Sequence, residues 1–133
     1  MIERAIVAIV LLVVGTLIYR LMIARQMRRT TAIAAADPLL SGRRLGVPAI
    51  VYFTTPTCVP CRTQQTPALS RLQEALGERV QVIRVDATED PAAADRWGVL
   101  TAPTTFVLDG SGRTLAVNHG VADFDKLIGQ LQG

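Results

Sequence analysis

Twenty residues near the start, Ala5 to Ala24 (AIVAIVLLVVGTLIYRLMIA), carry one charge, Arg20, and limit what the first part of the chain can become. A run of that length and polarity is long enough to cross the hydrocarbon layer as a helix, in which every backbone N–H and C=O is paired within the segment. Arg20 can extend its guanidinium to the headgroups while its stem stays in the apolar layer, with Tyr19 beside it at interface depth. A cleaved signal peptide is the alternative, because Ala34-Ala35-Ala36 offers a small-x-small site. Against that alternative, Arg20, Arg25, Arg28 and Arg29 lie between the apolar run and the site, and Glu3-Arg4 leaves the amino-terminal region with little net charge. A buried helix of a soluble domain fits poorly, since the run has no polar face.

Setting residues 1–24 aside as an anchor leaves a basic juxtamembrane linker, residues 25–46, and one small domain, residues 47–133. The sequence pI of about 9.4 invites a nucleic-acid reading, but the charge is unevenly placed. Residues 1–46 hold seven arginines against Glu3 and Asp37, a net +5, whereas residues 47–133 hold seven basic and nine acidic side chains, a net −2. The basicity therefore belongs to the membrane flank, where arginines attract anionic lipid, and nucleic-acid binding by the domain is not expected. The same asymmetry, with the arginines following the span, places the domain in the cytoplasm by the positive-inside rule; a periplasmic or other extracytoplasmic domain is the alternative.

Asp37-Pro38 ends any helical continuation of the anchor, and Leu39 to Gly46 reads as a tether or irregular lead-in. Val47 to Thr54 is a continuous apolar run of the kind that forms a strand buried on both faces. A helix is expected from about Val59 to Leu76, a strand over Arg79 to Asp86, and a short helix that Asp90 caps and Pro91 opens. Thr105 to Leu108 and Arg113 to Asn118 flank an Asp109-Gly110 turn and read as an antiparallel hairpin. A last amphipathic helix follows, capped by Asp123.

The only two cysteines fall in Cys58-Val59-Pro60-Cys61, between the apolar strand and the long helix. Cys58 at the helix start meets unpaired backbone N–H groups and the positive end of the helix dipole, which favour a thiolate. Cys61, one turn further on, is placed to displace a mixed disulfide formed by Cys58. Zinc needs four N or S ligands, and with His119 as the sole histidine no metal site is expected. So short a loop makes a poor structural staple, because closing it removes little chain entropy. Redox chemistry by the dithiol itself is the reading that remains, with no cofactor.

The succession of apolar strand, C-x-P-C, helix, strand, helix, Ala102-Pro103-Thr104, hairpin and final helix resembles the thioredoxin-like family across Val47 to Gln132, with Trp97-Gly98-Val99 as a further match. The resemblance implies an α/β thioredoxin-like fold, a mixed sheet of about four strands flanked by helices, preceded here by one transmembrane helix. It implies a thiol-disulfide oxidoreductase, a protein disulfide reductase with Cys58 as nucleophile and Cys61 as resolving thiol. Pro103 would follow a cis peptide bond beside the sulfurs, Ala102 would pair its backbone with a substrate segment, and Gly120 would leave the approach open. Pro60 completes the motif. Its partners would be protein disulfide substrates, an upstream dithiol reductant and membrane lipid.

The chain departs from the family pattern at several positions. Thr57 replaces the tryptophan usual before the first cysteine, and Tyr52 stands where thioredoxins bury an acidic residue. Pro67 follows Cys61 by six residues rather than five, an excess that a π-bulge can absorb. Little sequence is left to form the family's first strand and helix, so a trimmed fold is expected. A non-catalytic anchored binding or redox-sensing module, or extracytoplasmic disulfide exchange in cytochrome maturation, are the rival functions. His119 is read as a solvated strand-end residue rather than a general base, Trp97 as core, and Arg62 as a solvated side chain.

Overall fold

Val51, Phe53, Phe106 and Leu108 point to one face of a four-stranded sheet while Ile50, Tyr52 and Val107 point to the other, because side chains alternate along a strand. The sheet belongs to a computed structural model that describes residues 1–132. In chain order the elements are α1 (Ile2–Ala36), β1 (Ala49–Thr54), α2 (Thr66–Leu76), β2 (Gln81–Asp86), α3 (Pro91–Arg96), β3 (Thr104–Leu108), β4 (Thr114–His119) and α4 (Phe124–Gln132). The strand order is β2-β1-β3-β4. β1 and β2 are parallel, joined through α2, and the other neighbours are antiparallel.

All six residues of β1 are buried, as its unbroken apolar run requires of a central strand with helices on both faces. On the first face Phe53, Trp97 and Phe106 form a cluster with ring centroids 4.9–6.1 Å apart. Trp97 is therefore core, as expected. On the second face Leu69 and Leu72 of α2 and Leu127 of α4 cover Ile50, Tyr52 and Val107. Side chains of this size, fully buried, contribute about 1.5–3 kcal/mol each.

Several boundaries differ from expectation for identifiable reasons. β2 starts at Gln81 because Gly77–Arg79 first winds into a 3₁₀ turn, with Arg79 donating to the carbonyls of Ala75 and Leu76. β4 starts at Thr114 because the Arg113 N–H is held by the Asp109 carboxylate at 2.9 Å within the hairpin turn. The caps lie where the sequence put them: Asp90 accepts from the Ala93 N–H at 3.0 Å and Asp123 from the Lys126 N–H at 2.8 Å.

The segment expected as a linker is packed rather than free. α1 runs unbroken to Ala36, and its last third lays Met27, Thr30, Thr31, Ile33 and Ala34 along the first sheet face, at the spacing of one helical stripe. The helix that the domain seemed too short to contain is thus supplied by the far end of the apolar helix. The trimming is real only for the first strand, since no strand precedes β1 among the described residues. Residues 41–48 instead run past the hairpin turn, where the Gly46 N–H donates to the Gly110 carbonyl at 3.0 Å. Gly110 is required there, because a Cβ would stand 2.6 Å from the Gly46 oxygen.

Asp37 fastens this helix to the domain. Its buried carboxylate accepts from Arg96 Nε at 3.0 Å, Arg96 Nη2 at 3.2 Å, Trp97 Nε1 at 3.0 Å and the Leu39 N–H at 3.0 Å. Burial pushes the carboxyl pKa up, but the hydrogen bonds from Arg96, Leu39 and Trp97 and the charge of Arg96 outweigh it and hold the group below the usual carboxylate range. A group whose pKa is lowered by folding contributes stability above its unfolded value, near 3.9, that is lost as the pH falls through the lower folded value. Asp37→Ala is expected to destabilise the protein by about 1–3 kcal/mol at pH 7, through loss of the charge-assisted hydrogen bonds from Arg96 and of the partner of the buried indole N–H. Thermal melts should show the difference from the parent narrowing below about pH 4, as the parent's own carboxylate protonates. A constant difference from pH 7 to pH 3 would contradict the assignment.

Candidate active site

β1 delivers the chain to one end of the sheet, where Thr55-Pro56-Thr57 turns it and the Cys58 N–H closes on the Thr55 carbonyl at 3.2 Å. Val59 and Pro60 begin a helix, with Pro60 in helical conformation (φ −60°, ψ −31°) in the first turn, where a missing N–H is harmless. Cys61–Gln65 then form a π-turn before α2 continues in α geometry. The Thr66 N–H reaches back five residues to the Cys61 carbonyl, which accommodates the one-residue excess before Pro67. The helix expected from about Val59 to Leu76 is thus continuous, with the wider turn inside it beginning at the second cysteine.

Cys58 and Cys61 are joined by a disulfide with a Cα–Cα distance of 5.3 Å. Cys58 is half-buried and Cys61 fully buried, so only the first sulfur can be approached from outside. The Cys61 N–H points at the Cys58 sulfur, 3.2 Å away. When the bond opens, that N–H and the helix end behind it face the sulfur that must carry negative charge.

Tyr52 is buried on β1, beneath the motif, and its hydroxyl lies 3.3 Å from the Cys61 carbonyl and 3.2 Å from Thr66 Oγ1. It braces the π-turn that carries the resolving cysteine. Thr57, in the place of the family's tryptophan, is exposed, as are Arg62 and the Val59 side chain.

The peptide bond between Ala102 and Pro103 is cis. Ala102 packs against the cluster that holds Cys61 and the partly buried Cys58. The Pro103 carbonyl accepts the Gly120 N–H at 2.8 Å, tying the loop after β4 to the loop before β3. Ala102 itself makes no backbone–backbone hydrogen bond among the described residues. Gly120 has φ +97°, which disfavours any other residue, and a Cβ there would meet no atom within 4 Å. The glycine is demanded by its backbone, and the space above it is open.

Cys58, Cys61, Ala102, Pro103 and Gly120 thus converge on one end of the sheet, with Pro60 between the cysteines and Thr57 at the rim. His119 faces away from this group, with Nε2 3.3 Å from the Gln26 side-chain nitrogen on α1. Sequence reasoning missed Gln65. Fully buried, it donates to the Ala122 carbonyl at 2.9 Å and accepts the Ala122 N–H at 2.8 Å, a two-point clamp between the cysteine-bearing helix and the loop after Gly120. A signal for it existed: Gln65 stands four residues before Leu69 on the otherwise apolar stripe of α2.

The thioredoxin family model matches residues 45–132. The chain is 35% identical over 81 residues to a thioredoxin of Rhodospirillum rubrum, covering 61% of this chain and 76% of that protein. It is 32% identical over 85 residues to a thioredoxin-like protein of Synechocystis, covering 64% and 79% respectively. Among solved structures it is similar in fold to a malaria-parasite thioredoxin-2 (TM-score 0.61, 23% identity, 68% of this chain and 86% of that one). The oxidised mitochondrial thioredoxin 3 of Saccharomyces cerevisiae is a second such neighbour (TM-score 0.55, 24% identity, 64% and 76%). With its cysteine pair bonded at the head of the π-turn that leads into α2 and the cis-proline loop alongside, this chain belongs to the thioredoxin family and is a thiol-disulfide oxidoreductase.

Proposed function

We propose that the chain is a membrane-tethered protein disulfide reductase whose domain faces the cytoplasm. The observation that carries the tether is α1 itself: an 18-residue window averages 2.6 in mean hydropathy and none of it is buried in the fold. Ile6, Ile9, Leu11, Leu12 and Val13 are more than half exposed, a surface too large and too apolar to be left to water. A retained anchor is further supported by Ala34, which sits inside the packed stripe of α1. Cleavage at Ala34-Ala35-Ala36 would strip Met27 to Ala34 from the sheet. Arg25, Arg28 and Arg29, exposed on the domain side of the span, support the cytoplasmic orientation.

In the reductive direction the Cys58 thiolate attacks a protein disulfide, and Cys61 then displaces the substrate sulfur, leaving a substrate dithiol and the Cys58–Cys61 bond. An upstream dithiol restores the pair. The full chain should stay with the membrane through an alkaline carbonate wash and, once solubilised in detergent and reduced, should cleave the interchain disulfides of insulin. An impermeant maleimide should label the reduced protein only after the membrane that α1 crosses is opened. Release by carbonate would overturn the tether, insulin turnover no greater than that of Cys58→Ser the reductase, and labelling with that membrane closed the orientation.

A further inference from the structure

We propose that the redox site works against the bilayer surface and exchanges with a disulfide held on a second membrane-anchored chain rather than with a freely soluble protein; this rests on the tether proposed above. The direction of α1 relative to the sheet carries the inference. Thr31, near the helix end, accepts the N–H of Thr114, the first residue of β4, at 3.1 Å. Gln26, further back toward the apolar run, meets His119, the last residue of β4. Moving along α1 toward the membrane therefore means moving along β4 toward Gly120, Pro103 and the sulfurs. The active-site end of the domain is the membrane end.

Helical rise fixes the height. Counted from Ala24, the last residue of the apolar run, Gln26 stands about 3 Å beyond the hydrocarbon, and counted from Tyr19 about 10 Å, at 1.5 Å per residue. The headgroup layer is itself roughly 5–8 Å thick on each side. His119 and the loop that follows it are thus level with the headgroups or just above them. No slack separates the span from the domain, because the stripe from Met27 to Ala34 is packed and Asp37 is held by Arg96 and Trp97. A globular protein of 100 residues, with a radius of gyration of about 13 Å, does not fit into a gap of that size. A disulfide in a juxtamembrane segment does.

Val59, between the cysteines, is 55% exposed, so the surface beside Cys58 presents an apolar side chain compatible with a lipid or membrane-protein surface. In the exchange, Cys58 thiolate attacks one sulfur of the partner's disulfide, whose other sulfur leaves as a thiolate. Cys61 gives up its proton and attacks Cys58, breaking the mixed disulfide so that the partner's second sulfur leaves as a thiolate and the Cys58–Cys61 bond forms; two electrons pass to the partner, whose two thiolates take up the Cys61 proton and one from solvent.

The test uses the reduced full chain in lipid nanodiscs and one two-cysteine disulfide peptide presented three ways: on a lipid anchor through a two-residue spacer, on the same anchor through a long Gly/Ser spacer of about 40 residues, and free in solution. The short-spacer peptide should oxidise the cysteine pair on the order of tenfold faster than the long-spacer one, since its effective concentration at headgroup level is higher. Inserting about twelve Gly/Ser residues between Ala24 and Arg25, a coil of roughly 20 Å, should abolish that preference while leaving the reaction with a small aromatic disulfide unchanged. Equal or faster reaction of the long-spacer and free peptides, or a preference that survives the insertion, would overturn the inference and leave the tether standing. A chain that does not enter the nanodiscs would overturn both.

Discussion

With Cys61→Ser, reaction with a disulfide substrate is expected to halt at a covalent adduct through Cys58, while Cys58→Ser is expected to fall to background turnover and trap nothing. The asymmetry follows from burial and from the backbone. Cys58 is the only sulfur that an incoming disulfide can reach, and Cys61 is fully buried under the start of the helix. The Cys61 N–H aimed at the Cys58 sulfur at 3.2 Å favours charge on that atom and belongs to the backbone, so it survives Cys61→Ser. A serine hydroxyl at position 61 cannot displace the substrate sulfur at neutral pH, so the intermediate accumulates. Mass spectrometry should find one substrate per chain, released by excess dithiol. Adducts through Cys61 in Cys58→Ser would show that the roles are reversed.

What the sequence revealed, and what it hid, divides by the range of the interaction responsible. The central strand, the Asp109-Gly110 hairpin and the caps at Asp90 and Asp123 rest on patterns within a few residues, and each appears where the pattern placed it. The π-turn was also legible, because Pro67 falls one residue late and the excess has to go somewhere. The packed end of α1 was not. Its stripe of Met27, Thr30, Thr31, Ile33 and Ala34 is weakly apolar and lies beside a much stronger apolar run that dominates any periodicity. Asp37 reads locally as a helix stop, and nothing near it announces partners 59 and 60 residues away. Tyr52 shows the same division: its replacement of an acidic residue was visible in the sequence, whereas its hold on the Cys61 carbonyl needed the fold.

Gln65 offers the sharper test of how the site is held together, because its side chain hydrogen-bonds the helix of Cys61 to the loop beyond Gly120 at two points. Gln65→Leu keeps most of the volume but leaves the Ala122 N–H and carbonyl buried without partners, at about 1–3 kcal/mol each, so a loss of about 2–6 kcal/mol is expected in denaturant unfolding. Gln65→Glu separates the two contacts. The carboxylate still accepts from the Ala122 N–H but can no longer donate to its carbonyl, and it brings a charge into the interior, which lifts its pKa. When protonated it donates and accepts as glutamine does. The glutamate variant should therefore recover stability relative to the parent as the pH is lowered toward 5, whereas the leucine variant should not. The loop that the clamp restrains carries the Gly120 N–H bound to the Pro103 carbonyl, so loosening it should raise KM for a protein disulfide more than it slows reaction with a small one. Equal losses with both substrates, in a variant that remains folded, would mean that the clamp serves stability alone.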